Sequence, residues 1–363
     1  MWLKTFLTIV VLISVEANNV CDINSKVLKA GYPFEKYDLV TEDGYILEVY
    51  RIPYGKNETQ GHRPVVFMMH GLLSSASSFV ELGPNYAMAY NLADAGFDIW
   101  LGNARGVCNS RRHITLDPDD NNQKAEFFKF SWEEIALYDL PLLLDFALKT
   151  SGQEKLHYIG HSQGGATFLV LNSMRREYNE KIESAHLIAG VGYKRNFPNL
   201  LLSSFATYTS VLYDFVRTLG LHELKYEWIA SDNEKPAEIG EYKVSLRDLG
   251  TSASLKQLSH FGQNVRDKTF RRWDYSLLEN FFHYGSPSPP EYNLRRVNVD
   301  ITMHYTIADS LLDERDVLAM VNDLPNAKAR KIPKDNFSHY DFVQSSFVKP
   351  LVTDYIISDL KSR

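Results

Sequence analysis

Cysteine, basic charge and long apolar runs are all scarce in this 363-residue chain. Its two cysteines are too few for the disulfide framework of a small secreted domain, but a chain of this length buries a core without one. Lys and Arg number 39 against 45 Asp and Glu, a net charge of −6, which argues against a nucleic-acid-binding protein. Zinc-ligand spacings, a P-loop and a Gly-x-Gly-x-x-Gly sequence are missing, so no metal or nucleotide-cofactor site is predicted. After the N-terminal segment no apolar run is long enough to predict a transmembrane helix.

Aromatic side chains are abundant instead, with 21 Tyr, 20 Phe and 5 Trp making up 13% of the chain. Such a surplus indicates a large core, an apolar binding cavity, or both. With 44% apolar and 23% charged residues, the composition is that of a globular protein with one large or two ordinary domains.

The N-terminus has the layout of a secretory signal peptide. Lys4 precedes an apolar run over residues 5–15, and Val15 and Ala17 supply small residues for signal peptidase. Residues 1–17 are therefore predicted to be a signal peptide, with a buried N-terminal helix as the alternative. This predicts an extracellular protein, with lysosomal delivery as the alternative, and the sequons at Asn57 and Asn336 are candidate glycosylation sites.

Strand-like and helix-like stretches alternate along the chain, an order typical of a mostly parallel sheet covered by helices. Residues 37–53 are predicted to form a hairpin around Asp43-Gly44. Further strands are predicted at residues 65–69, 97–101, 156–159, 185–191, 301–307 and 327–332, and helices at residues 132–148, 313–324 and 347–360.

Residues 193–295 interrupt this alternation, since helical stretches such as residues 199–219 have no clear strands between them. We interpret residues 193–295, called the cap from here on, as a helical insertion over the sheet; a second independent domain is the alternative. The predicted division is a core made of residues 18–192 and 296–363, with the cap inserted between the two parts.

A nucleophile motif stands at Gly160-His161-Ser162-Gln163-Gly164. It follows a predicted strand and precedes a helical stretch, which is the context of the nucleophile elbow in α/β-hydrolases. The sharp turn requires small residues two positions before and two after the serine, and glycine stands at both. The pattern predicts an α/β-hydrolase core in which Ser162 is the nucleophile.

A serine nucleophile needs a histidine base held by an acid, and in this fold they follow in the order Ser, Asp or Glu, His. His339 is the candidate base because it lies in a loop after the last predicted strand. The other histidines after Ser162 lie in apolar strands (His186, His304) or in the cap (His222, His260, His283).

Asp309 is the candidate acid, since it ends a strand-like run where a loop would turn it towards His339. Asp313 and Asp316 instead resemble helix-start residues. Asp309 would fix the imidazole tautomer and stabilise the imidazolium.

The oxyanion hole is predicted from His70-Gly71-Leu72, which follows the strand at residues 65–69. A glycine turn there presents a backbone N–H towards the serine, so Leu72 and Gln163 are the candidate donors. Acyl transfer by such a site requires no cofactor.

Several long stretches, in order, resemble the animal acid lipase family, which includes gastric and lysosomal acid lipases and insect digestive lipases. They are residues 41–56 (TEDGYILEVYRIPYGK), 65–79 (VVFMMHGLLSSASSF), 93–106 (ADAGFDIWLGNARG), 138–146 (YDLPLLLDF), 156–165 (LHYIGHSQGG), 309–317 (DSLLDERDV) and 338–342 (SHYDF). The resemblance implies an α/β-hydrolase core with a helical cap and hydrolysis of carboxylic esters of neutral lipids. It also implies a triad of Ser162, Asp309 and His339, with Leu72 and Gln163 as oxyanion donors.

The predicted function is that of a secreted serine lipase acting on triacylglycerol or cholesteryl ester at a lipid–water interface. A soluble carboxylesterase of shorter esters shares the same residues, and a non-catalytic lipid carrier is a further alternative. The candidate walls of an acyl-chain tunnel, for each of which ordinary packing is the alternative, are Phe205, Tyr208, Tyr213 and Phe215. Cys21 and Cys108 either pair in an oxidising compartment or remain separate thiols.

Overall fold

One large sheet forms the centre of the molecule. The computed structural model describes residues 21–226, 237–239, 242–244 and 251–363, so the predicted signal peptide lies outside the described residues. The strands are β1 (Glu35–Val40), β2 (Tyr45–Ile52), β3 (Val65–Met69), β4 (Asp98–Gly102), β5 (Arg112–His113), β6 (Leu156–His161), β7 (Ile182–Ile188), β8 (Glu223–Lys225), β9 (Ala237–Ile239), β10 (Tyr242–Val244), β11 (Ser252–Ser254), β12 (Asp300–Tyr305) and β13 (Ala327–Lys331).

The central sheet has the strand order β1-β2-β4-β3-β6-β7-β12-β13, with β5 paired to β2. From β4 to β13 every neighbouring pair is parallel, whereas β1, β2 and β4 pair antiparallel at one edge. The predicted α/β class with a mostly parallel sheet is confirmed. The hairpin and the strand at residues 65–69 are also where the sequence places them.

Helices cover both faces of the sheet, so the inner parallel strands, such as β3, β4 and β6, are buried on both sides, whereas the edge strand β13 is partly exposed. In β3 the side chains of Val65, Phe67 and Met69 belong to one apolar cluster, and those of Val66 and Met68 belong to another. The helices are Ile23–Lys29, Met88–Asp94, Lys124–Phe127, Trp132–Glu134, Leu140–Ser151, Gln163–Met174, Leu200–Ala206, Thr209–Thr218, Leu255–Asp267, Leu277–Tyr284, Glu314–Asp323, Asp341–Gln344 and Asp354–Lys361, with π-helical turns at Ile135–Asp139 and Lys349–Thr353.

The helix predicted at residues 132–148 is interrupted by the π-helical turn Ile135–Asp139. Pro141 follows this turn and has no N–H to donate to the Leu137 carbonyl oxygen, so a regular α-helical bond cannot form there. That oxygen accepts a hydrogen bond from Arg175 instead, at 3.4 Å. The predicted helix is therefore present, and only this turn departs from regular α-helical geometry.

The cap contains four short strands, β8 to β11, in addition to its helices, so the expectation of a segment without strands was wrong. Strands of three residues are too short to show a two-residue alternation. The helical stretch at residues 199–219 is divided into Leu200–Ala206 and Thr209–Thr218, and both helices pack against Leu255–Asp267. The boundaries of the cap and of the two core parts stay predictions.

Cys21 and Cys108 form a disulfide, which joins the start of the described chain to the loop after β4. Of the two alternatives for these cysteines, a disulfide pair or separate thiols, the structure shows the pair. Closing a loop of 87 residues stabilises the fold by about 4 kcal/mol in the chain-entropy account.

Candidate active site

Ser162 stands at the turn between β6 and the helix Gln163–Met174. Its backbone, with φ 52° and ψ −112°, is in a strained region that a non-glycine residue adopts only under tight constraint. A Cβ on Gly160 would lie 2.7 Å from the carbonyl carbon of Gly164, and one on Gly164 would collide with the Met69 carbonyl oxygen. The two glycines therefore let the turn close, as the nucleophile elbow requires.

His339 and Asp309 form a hydrogen-bonded chain with Ser162. His339 Nε2 lies 2.8 Å from Ser162 Oγ, and His339 Nδ1 lies 2.7 Å from Asp309 Oδ2. Because an ionised carboxylate only accepts, Nδ1 carries the ring proton and Nε2 is available to take the serine proton. All three side chains are buried. The structure thus brings together the predicted triad residues, although 177 positions separate the serine from the histidine.

The turn after β12 orients the Asp309 carboxylate. Asp309 Oδ1 accepts hydrogen bonds from the backbone N–H groups of Leu311 and Leu312, at 2.7 Å and 3.0 Å. These bonds leave Oδ2 to face His339.

The rival acids and bases make other contacts. Asp313 caps the helix Glu314–Asp323, and Asp316 lies in the first turn of that helix. His186 and His304 are buried and hydrogen-bond to each other, with their ring nitrogens 3.0 Å apart. They are core histidines, as their apolar strands predict.

The loop after β3 lies directly against the serine, since a Cβ on Gly71 would be 3.1 Å from Ser162 Cβ. His70 holds this loop: Nδ1–H donates to the Gly71 carbonyl at 2.8 Å, and Nε2 accepts from the Ala104 N–H at 3.1 Å. Burial lowers the pKa of His70 to about 4, so the ring stays neutral. Leu72 and Ser162 line the same cavity. The predicted donor Leu72 thus lies near Ser162, and its oxyanion role stays a prediction.

His161, next to Ser162 in the Gly-x-Ser-x-Gly motif, contacts His339. Its Nε2–H donates to the backbone carbonyl of His339 at 3.1 Å. Burial lowers the pKa of His161 to about 3, which keeps this ring neutral too. Sequence reasoning assigned no individual role to His161 or His70, and the only signal was that each stands within a predicted site motif.

Lys194 holds the turn that carries Asp309. Its buried Nζ donates to the Leu311 carbonyl oxygen at 2.8 Å. Burial lowers the pKa of Lys194 to about 8, while the nearby carboxylates of Asp309 and Asp316 act in the opposite direction. The sequence did not reveal this contact because it joins residues 117 positions apart.

A cavity of 440 Å³ opens above Ser162 and His339 between core and cap. Its walls are mainly apolar and include Leu202, Phe205, Leu212, Tyr213, Leu258 and Phe261. Of the four predicted wall residues, Phe205 and Tyr213 line this cavity. Tyr208 and Phe215 are instead 64% and 59% exposed to solvent.

The two predicted glycosylation sites lie on the surface. Asn57 and Asn336 are both exposed, as glycan acceptors must be, and glycosylation of either stays a prediction. Among the described residues, none of the helices has the length and apolar character needed to cross a bilayer.

Comparisons with known proteins agree with this geometry. A family described as "alpha/beta hydrolase fold" matches residues 64–301, and one described as "Partial alpha/beta-hydrolase lipase region" matches residues 23–83. Lipase 3 of Drosophila melanogaster is 34% identical over 94% of this chain and 93% of its own. Gastric triacylglycerol lipase of Homo sapiens is 33% identical over 93% of this chain and 90% of its own.

The fold is also shared by a solved esterase from Thermogutta terrifontis, with a TM-score of 0.54 and 14% identity over 90% of this chain and 98% of that one. Identity that low concerns the fold alone. The curated relatives go further, since they match the chain nearly end to end and are named lipases. The chain is an ester-hydrolysing enzyme of the α/β-hydrolase fold and belongs to the animal acid lipase family.

Proposed function

We propose that the protein is a serine lipase that hydrolyses carboxylic esters of neutral lipids, triacylglycerol or cholesteryl ester, through an acyl-enzyme on Ser162. The observation that carries the proposal is the hydrogen-bonded chain Ser162–His339–Asp309 at the base of a mainly apolar cavity.

In the first half-reaction, His339 Nε2 takes the proton of Ser162 Oγ as the oxygen attacks the ester carbonyl. Asp309 accepts the Nδ1–H bond and stabilises the imidazolium. The tetrahedral oxyanion is stabilised by the backbone N–H groups of Leu72 and Gln163. The intermediate then collapses, the C–O bond to the alcohol breaks, and the alcohol oxygen leaves with the proton from Nε2.

In the second half-reaction, water attacks the acyl-enzyme and gives a proton to His339 Nε2. The same two N–H groups stabilise the second oxyanion. Its collapse releases the fatty acid, and the proton returns to Ser162 Oγ.

A lipid rather than a dissolved ester is favoured by the apolar surface around the cavity. Leu202, Phe205 and Leu212 line the cavity and are also 45%, 58% and 42% exposed, so the apolar wall continues onto the outside of the cap. The helices Leu200–Ala206, Thr209–Thr218 and Leu277–Tyr284 expose further large apolar side chains, up to 90% at Phe282. Contiguous exposed apolar surface marks a site of contact with a membrane or another protein, and its continuity with an apolar cavity wall favours a lipid surface.

Passage through the secretory route is supported by the Cys21–Cys108 disulfide, because such bonds persist in oxidising compartments. Together with the predicted signal peptide at residues 1–17, it favours an extracellular location, with the lysosome as the alternative.

The test is hydrolysis of tributyrin below and above its solubility limit, and of emulsified long-chain triacylglycerol. We expect the rate to rise once an emulsion forms, and Ser162→Ala to reduce it by about 10⁴-fold or more. The control is Ser173→Ala, which should keep wild-type activity. Ser173 is a buried serine of the helix that follows Ser162, and its Oγ donates to the Val170 carbonyl oxygen.

Two outcomes would replace the proposal. Saturation on dissolved tributyrin, with no rise at the emulsion, would indicate the soluble carboxylesterase. Binding of lipid without hydrolysis by the wild-type protein would indicate the lipid carrier.

A further inference from the structure

The cap contacts the loop that carries one proposed oxyanion donor. The Thr251 N–H donates to the Leu73 carbonyl at 2.9 Å, and Thr251 Oγ1 donates to the Ser74 carbonyl at 2.9 Å. Leu73 has φ 57°, a left-handed conformation that costs energy for a residue other than glycine. The two bonds from Thr251 therefore hold a strained stretch that directly follows Leu72.

Gln257, six positions further on, contacts the other proposed donor. Its Nε2 donates to Gln163 Oε1 at 3.1 Å, and its own Oε1 accepts from the Ser254 N–H at 2.9 Å. Both glutamine side chains are buried. Gln163 is the first residue of the helix after Ser162, so a restraint on its side chain also limits movement of its backbone N–H.

The segment that bears both contacts is itself attached to the core. Ser252 Oγ donates to the Gly106 carbonyl at 2.8 Å, and Ser254 Oγ donates to the Phe128 carbonyl at 2.6 Å. Ala253 in β11 pairs with Leu224 in β8. The segment that contacts both proposed donors is thus itself held by hydrogen bonds to the core and to β8.

We propose that Thr251 and Gln257 are positioning residues that set the oxyanion hole from the cap. This inference rests on the proposed ester hydrolysis with Leu72 and Gln163 as donors. Neither positioning residue touches the reacting carbonyl; each limits how far a donor N–H moves as charge develops on the substrate oxygen. Since oxyanion stabilisation depends on donor placement to a fraction of an ångström, loosening either contact slows turnover more than it weakens substrate binding.

The test uses the full chain with two variants. Thr251→Val removes the Oγ1 bond with little change of shape. Gln257→Glu keeps an oxygen that can accept from the Ser254 N–H but removes the amide N–H that donates to Gln163 Oε1. The matched controls, Thr269→Val and Gln263→Glu, make the same changes elsewhere in the cap, and Thr251→Ser retains the hydroxyl.

Three quantities are measured for each variant: kcat and KM on a water-soluble p-nitrophenyl ester, the inhibition constant of a trifluoromethyl ketone, and that of a medium-chain alcohol. The ketone forms a tetrahedral oxyanion with the serine, whereas the alcohol forms none. In Thr251→Val and Gln257→Glu we expect kcat to fall about tenfold and the ketone constant to rise by the same factor. KM and the alcohol constant should stay near wild type, as should every quantity in the controls and in Thr251→Ser.

Unchanged kcat in both variants, or equal losses in the controls, overturns the inference. If Gln257→Glu fails to fold, the same quantities are measured for Gln257→Met, with Gln263→Met as its control. A wild-type protein that hydrolyses no ester overturns the proposed function instead, so the two failures are distinct.

Discussion

At the residue scale, Asp309 accepts hydrogen bonds from the His339 ring and from two backbone N–H groups. In Asp309→Asn an oxygen can still accept the backbone bonds, but the amide cannot stabilise the imidazolium and favours the wrong tautomer of His339. We expect kcat on a soluble ester to fall about 10⁴-fold at neutral pH. Asp313→Asn, at a half-buried helix cap, should leave kcat unchanged. A variant at Asp309 with more than a tenth of wild-type kcat would contradict this role.

The glycines around Ser162 give a second prediction at this scale. A Cβ at position 164 meets the Met69 carbonyl oxygen, a backbone atom that cannot move aside cheaply. Gly164→Ala should therefore lower the free energy of unfolding by about 1–3 kcal/mol, or prevent folding. Gly61→Ala, where nothing lies within 4 Å of the added Cβ, should be neutral in the same thermal melts. Equal melting temperatures for both variants would refute the account of the turn.

Sequence was informative about Ser162, Asp309 and His339 because the chemistry fixes their residue types and the fold fixes their order. It was silent about Lys194, Thr251 and Gln257. Their contacts join the cap to residues more than 90 positions away, and their residue types are common on any surface. Contacts of this kind are visible only once the chain is folded.

At the scale of elements, the cap is attached to the core at the start of the helical stretch after Phe130. Lys256 Nζ donates to Glu134 Oε1 at 3.0 Å, and the Ser131 N–H donates to Glu134 Oε2 at 2.6 Å. Desolvation opposes ionisation of Glu134, but Lys256 and the bonds from Ser131 prevail and lower its pKa to about 2. The charged carboxylate is thus stabilised in the folded protein.

Glu134→Gln should lower the free energy of unfolding at pH 7 by about 1–3 kcal/mol. Because the folded pKa lies below the ordinary value of 4.5, this stabilisation is present above about pH 4.5 and is lost as pH falls towards 2. Urea unfolding at pH 7 and pH 3 measures the difference. Glu126→Gln, in an exposed pair with Lys129, is the control and should change little. A difference from wild type that does not narrow at pH 3 would count against the ionised pair.

Apolar runs that end at turn residues made the central sheet predictable, and β3 matches its predicted bounds. The strands of the cap have three residues each, too few to form a recognisable apolar run. The π-helical turn was not predicted either, because it involves a proline and a contact with a distant arginine.

At the scale of the whole molecule, several histidines are buried and neutral. Burial lowers the pKa of His70 and His157 to about 4, and that of His161 and His260 to about 3. In the unfolded chain each takes up a proton near pH 6.5 that the folded protein does not bind. These groups therefore do not affect the free energy of unfolding above about pH 6.5. As pH falls from 6.5 towards 4, proton uptake by the unfolded chain lowers the free energy of unfolding.

We expect the free energy of unfolding to fall below pH 6.5 by about 1 kcal/mol per pH unit for each such histidine. Urea unfolding at pH 7, 6 and 5 measures the slope. His157→Gln changes a residue remote from Ser162. In this variant the slope of the unfolding free energy against pH should be smaller by about 1 kcal/mol per pH unit, because one fewer histidine takes up a proton on unfolding. A stability that stays constant from pH 7 to pH 5 would show that these rings are protonated in the folded state.

Mapping a covalent adduct shows whether Ser162 carries the acyl group. The protein is treated with a fluorophosphonate, digested, and the modified peptide is sequenced by mass spectrometry. We expect one adduct, on Ser162, which is absent in Ser162→Ala and forms far more slowly in His339→Gln. An adduct on a different serine, or unchanged ester hydrolysis by Ser162→Ala, would rule out the proposed acyl-enzyme.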